Sequence, residues 1–75
     1  MDLADLAPGQ RARIVNMNRL NHQVRRKLMV MGLLPTSQVQ FLRAAPLGDP
    51  LQIQCDGICL SMQKSLARLI EVEAV

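Results

Sequence analysis

The sequence has no tryptophan and no tyrosine, and Phe41 is its only phenylalanine. Proteins that read single-stranded nucleic acid stack bases on exposed aromatic rings, and with Phe41 expected in the core that platform is missing. The single histidine, His22, falls where a helix is expected to begin, with no nucleophile at a recognisable spacing. Carboxylates number only six, and Asp49 and Asp56 among them are explained by turns, so no acid/base pair stands out. A glycine-rich phosphate loop is also missing. The longest apolar run, residues 28–34, is interrupted by Gly32 and falls far short of the roughly 20 residues that a membrane span requires. Residues 1–5 lack the basic and long apolar regions of a signal peptide, so a cytoplasmic location is expected.

Two cysteines are present, four positions apart. The hairpin described below puts Cys55 on the core face and Cys59 on the opposite one, which leaves them poorly placed to bridge. A structural zinc site needs four ligands, and His22 is the only nitrogen ligand left. Two reduced thiols acting as small hydrophobes are expected, with no cofactor and no metal.

What the chain does have is aliphatic bulk, with hydrophobic residues making up 49% of its 75 positions. That supports one domain, residues 1–75, although a chain this short hides only around 60% of its unfolded surface. The net charge is +3 and unevenly placed, since Arg11, Arg13, Arg19, Arg25, Arg26 and Lys27 all precede residue 28. A basic face of this kind suits nucleic acid, anionic lipid or an acidic protein surface; the plainer alternative is a solvated face that keeps the protein soluble.

Residues 21–39 organise the rest. Val24, Leu28 and Met31 recur at i, i+4 and i+7, which predicts one apolar helix face covered by a sheet. Asn21 is suited to cap the helix start. Gly32 is expected to end it at a positive φ, bringing Leu33 back against Leu28, and Pro35 forbids continuation.

Strands are expected on either side. Pro8-Gly9 has the signature of a type II turn, and residues 10–17 then alternate, with Ala12 and Ile14 on one face and Arg11, Arg13 and Val15 on the other. A second strand covers residues 38–43, with Val39 and Phe41 inward. Residues 44–50 form a loop, because two prolines flanking Gly48 cannot join a central ladder. Asp56-Gly57 predicts a two-residue hairpin turn that pairs Cys55 with Ile58, Ile53 with Leu60 and Leu51 with Met62, all on one face. One helical turn is expected at residues 63–67, then a last strand at 68–72 with Ile70 and Val72 inward. The predicted fold is mainly β: a small antiparallel barrel of about five strands, with one short α-helix after the first strand and a helical turn before the last. Closing the sheet would remove its exposed edges.

Several apolar residues fall outside these core patterns. Met29 and Val30 lie off the helix stripe, and Leu34 and Leu47 sit in turns, so together they point to a docking surface. The alternative is a helix buried on more than one side. Arg25, Arg26 and Lys27 on the same helix would steer association towards an acidic patch.

The order of motifs resembles a known family. Leu3, Leu6 and Pro8-Gly9, then Arg26-x-Leu28, Met31-Gly32-Leu33-x-Pro35 and Ala45-Pro46-Leu47-Gly48-Asp49-Pro50 are similar to the ferrous iron transport protein A family, FeoA, over almost the whole chain. The resemblance implies an SH3-like barrel and a non-enzymatic cytoplasmic accessory of the membrane transporter FeoB, which carries a GTP-binding domain. A related domain at the end of some metal-dependent repressors implies a second reading, a basic module that binds nucleic acid or serves transcription. A weak direct metal binder is a third. The chain departs from the family at Thr36-Ser37, where glycine often follows the proline, so a tighter or differently shaped turn is expected there.

Overall fold

The computed structural model describes all residues, 1–75. Its elements run in order: a 3-10 turn at Leu3–Asp5, β1 (Arg11–Asn16), α1 (His22–Val30), β2 (Gln38–Ala44), β3 (Leu51–Cys55), β4 (Ile58–Met62), α2 (Lys64–Ala67) and β5 (Glu71–Ala74). The five strands form one antiparallel sheet in the order β4-β3-β2-β1-β5. Bulges between Ile14 and Asn16 and between Phe41 and Arg43 bend it, as an extra residue on one strand of a pair does.

Alternation decides which side chains enter the bend. Ala12, Ile14, Val39, Phe41, Leu51, Ile53 and Val72 are all buried, and with Leu3, Leu33 and Ile70 they belong to one apolar core. The Asp56-Gly57 hairpin forms in the expected register. Ile58 nevertheless ends outside the core, 52% exposed, because it opens the outermost strand where no neighbour covers it. The expectation that it would share the buried face with Cys55 is corrected on that ground.

The sheet does not close. β4 and β5 are its two ends and share no ladder, so the barrel stays partly open and α2 spans the gap in sequence. The outer edge of β5 is covered instead by the N-terminal segment, through Val72 N–H to the Met1 carbonyl and Leu3 N–H to the Ile70 carbonyl. β5 also starts later than expected, since residues 68–70 close α2 before the strand begins at Glu71.

Helix α1 runs from an Asn21 cap, whose side-chain oxygen accepts from Val24 N–H at 2.8 Å. At its end Leu33 N–H reaches the Leu28 carbonyl and Gly32 N–H the Met29 carbonyl, both at 3.0 Å, with Gly32 at φ +100°. These are the paired bonds of a Schellman closure. The closure puts Leu33, fully buried, over the core, whereas Met31 is 41% exposed. The predicted helix face is corrected here: Leu28 is its one buried residue, Val24 is half-buried, and Leu33 takes the place expected for Met31.

Candidate functional site

A nine-residue helix with a single buried residue leaves most of its surface to solvent. His22, Arg25, Arg26 and Met29 follow i, i+3, i+4 and i+7, so they share one face. That face borders a groove of about 730 Å³ between α1 and β1. Its apolar lining comes from Val15 on the outward side of β1, Met17, Met29, Val30 and the ring of Pro35. Val15 is 44% and Val30 82% exposed, so neither is held in place by the core.

Arg25 and Arg26 stand at the groove with no carboxylate partner, since the molecule's one ion pair joins Arg13 to Glu73 across β1 and β5. No aspartate or glutamate lines the groove. Acidic groups lie in an adjoining polar depression that shares Asn16 and Asn18, where Asp2, Asp5 and Glu71 are mixed with Arg19 and Arg68 and the Glu71 carboxylate accepts from the Asn16 side chain at 2.6 Å.

The sequence-predicted contact residues divide between places. Met29, Val30, Arg25 and Arg26 come together in the groove, whereas Lys27, Leu34 and Leu47 do not line it. Leu47 is 97% exposed at the tip of a turn closed by Gly48 N–H to the Ala45 carbonyl and Ala45 N–H to the Pro50 carbonyl. Asp49 does more than shape that turn, because its side-chain oxygen accepts from Lys64 N–H at the start of α2. Val15 was missed as a contact residue, although an uncharged β-branched side chain among outward-facing arginines of a strand is a signal that could have found it. Pro35, read from sequence as a helix stop, also serves as groove wall.

Thr36 adopts φ +76°, in the left-handed region that favours glycine. Its N–H bonds the Ile14 carbonyl while Ile14 N–H bonds the Ser37 carbonyl, so this turn is fastened to β1 beside the groove.

Of the two thiols, Cys59 is exposed and Cys55 is buried. Burial, then the neighbouring Asp56 carboxylate, pushes the Cys55 pKa up, and a hydrogen bond from Ser37 opposes them in part. A raised pKa keeps the thiol neutral and a poor nucleophile. No three His, Cys, Asp or Glu side chains come close enough together to hold a metal ion. Phe41 is buried, so the only aromatic ring that faces solvent is the His22 imidazole.

The FeoA domain family model matches residues 1–74. The FeoA protein of Chlorobium tepidum has the same fold at a TM-score of 0.95, with 37% identity over 100% of this chain and 70% of that one. Iron(II) transport protein A of Clostridium thermocellum superposes at 0.92 with 36% identity, again over all of this chain but 46% of its own length. A zinc complex of FeoA from Stenotrophomonas maltophilia, described as a procaryotic SH3 domain protein, matches at 0.84 over 97% of this chain and 89% of that one. At 24% identity it shows the fold alone, which is thereby an SH3-like barrel.

Proposed function

Because this chain belongs to the FeoA family, whose domain covers residues 1–74, we propose that it serves ferrous iron uptake as a non-catalytic accessory that binds the cytosolic portion of a FeoB-type transporter. The observation that carries the reading is the groove, an apolar surface left open beside two arginines that no carboxylate neutralises. Exposed apolar side chains flanked by unpaired charge are the usual makings of a binding surface, with the apolar groups giving residence and the charges steering approach.

The titratable side chains support a binding role over a catalytic one. His22 is solvent-exposed at a helix start and the buried thiol is held neutral. No helix is long and apolar enough to cross a membrane, so in this reading the protein reaches the bilayer through the transporter, on the cytoplasmic side. The contact surface is assigned to Met29, Val30, Arg25 and Arg26, with Lys27, Leu34 and Leu47 as outlying contacts.

Calorimetric titration of the purified protein with the transporter's cytosolic portion, with and without GTP, tests this. A stoichiometric complex is expected in at least one nucleotide state. No heat and no co-elution at concentrations up to about 100 μM, which corresponds to binding weaker than about −5.5 kcal/mol, would contradict it.

A further inference from the structure

We infer that the groove between β1 and α1 receives an acidic amphipathic helix, with apolar anchors entering between Val15, Met29 and Val30 and carboxylates meeting Arg25 and Arg26. The inference rests on the reading that this protein acts by binding a transporter, and it adds the chemistry of the segment bound.

The backbone narrows the choice first. β1 is hydrogen-bonded to β2 on one side and to β5 on the other, so it has no free edge to which an extended peptide could add as a strand. An occupant must therefore be recognised by side chains. A helix meets that demand, because it satisfies its own backbone and presents apolar residues at i, i+3 and i+4 on one face.

Charge decides the rest. Arg25 and Arg26 lack ion-pair partners, His22 is the other titratable group at the groove, and no carboxylate lines it. Arg25 is half-buried and Arg26 exposed, and neither has an ion-pair partner, so a carboxylate brought to the groove meets unpaired cations. A basic occupant would bring like charges together in a confined space.

The test uses two synthetic helical peptides of about 16 residues. Both carry leucines at i, i+4 and i+7, one flanked by glutamates and the other by lysines. Phosphatidylglycerol vesicles and a short DNA duplex serve as competing probes. The acidic peptide is expected to bind at least about tenfold more tightly than the basic one. Reversing the charge in the R25E/R26E double variant should invert that order, a result that loss of structure cannot give. Should the double variant melt early, Arg26→Glu alone, at an exposed position, should still narrow the preference. Val30→Glu should lose the acidic peptide at unchanged thermal stability.

Equal binding of both peptides, no change of order on charge reversal, or tighter binding of vesicles or DNA through these same residues overturns the inference. If the transporter's cytosolic portion binds but neither peptide does, the groove assignment falls and the transporter reading stands. If the acidic peptide binds with the charge inversion while the transporter portion does not, the transporter reading falls and the groove accepts an acidic helix of another protein.

Discussion

The carboxylate of Asp49 accepts a hydrogen bond from the backbone N–H of Lys64 at 2.9 Å, joining the loop after β2 to the first residue of α2. Gln63, at the helix's own N-cap position, makes no side-chain capping bond, so Asp49 supplies one from fifteen residues away. An acceptor there also offsets the positive end of the helix. Asp49→Ala should destabilise the fold by about 1 kcal/mol, the usual effect of losing a cap, and Asp49→Asn, which keeps an acceptor oxygen, by less. Urea unfolding of the three proteins measures this.

Two positive-φ positions should respond in opposite directions. Gly32 sits at φ +100° with nothing within 4 Å of where a Cβ would lie, so substitution there is a matter of backbone strain and not of collision. Gly32→Val should lose about 2 kcal/mol or more. Thr36 already holds φ +76° with a β-branched side chain. Thr36→Gly should therefore gain stability, by about 1 kcal/mol, with relief of strain partly offset by the freer unfolded chain. Paired thermal melts check both signs.

Large leucines separate by place. Leu33 is fully buried beneath the end of α1, and Leu33→Ala should lose about 3 kcal/mol through lost burial and the cavity left behind. Leu47 is 97% exposed, and Leu47→Ala should change stability by no more than about 0.5 kcal/mol. Any loss of transporter binding in the Leu47 variant would then report a contact and not a folding defect.

The thiols predict a pH dependence. Burial and the Asp56 carboxylate raise the Cys55 pKa in the folded protein. As pH climbs, the unfolded chain gives up this proton first. The stability contributed by the neutral thiol is therefore intact below the ordinary thiol pKa of about 8.5 and is lost as pH rises through the folded value. Wild-type melting temperature should fall over that range more than that of Cys55→Ala, which starts lower but declines less. A thiol reagent under native conditions should modify the exposed Cys59 promptly and Cys55 only after unfolding.

Local signals carried most of the fold. Asp56-Gly57 was legible because a two-residue hairpin demands positive φ at both positions, and the alternation of Leu51, Ile53 and Cys55 then set the register. Gly32 followed by Leu33 was legible for a similar reason, since one residue supplies the conformation and the next the apolar contact. Met31 and Ile58 were misplaced because periodicity fixes which face a residue shares, and not whether anything covers that face. The 3-10 turn at Leu3–Asp5 was unread, although Asp2 and Asp5 form a reciprocal capping box around it. The groove was only half legible: its helix residues share one stripe, but Val15 and Pro35 reach it from distant parts of the chain through pairing of the 36–37 turn with β1. The bond from Lys64 to Asp49 is likewise a product of topology, which no local window contains.

The most direct test is to map amide chemical shifts of the isotope-labelled protein as the transporter's cytosolic portion is added. Perturbations should concentrate at residues 15–18 and 22–30, with Val15, Met29 and Val30 among the largest, and should weaken as salt screens Arg25 and Arg26. Shifts confined to the Ala45–Asp49 turn or to Ile58–Met62, with the groove unmoved at saturation, would contradict the account.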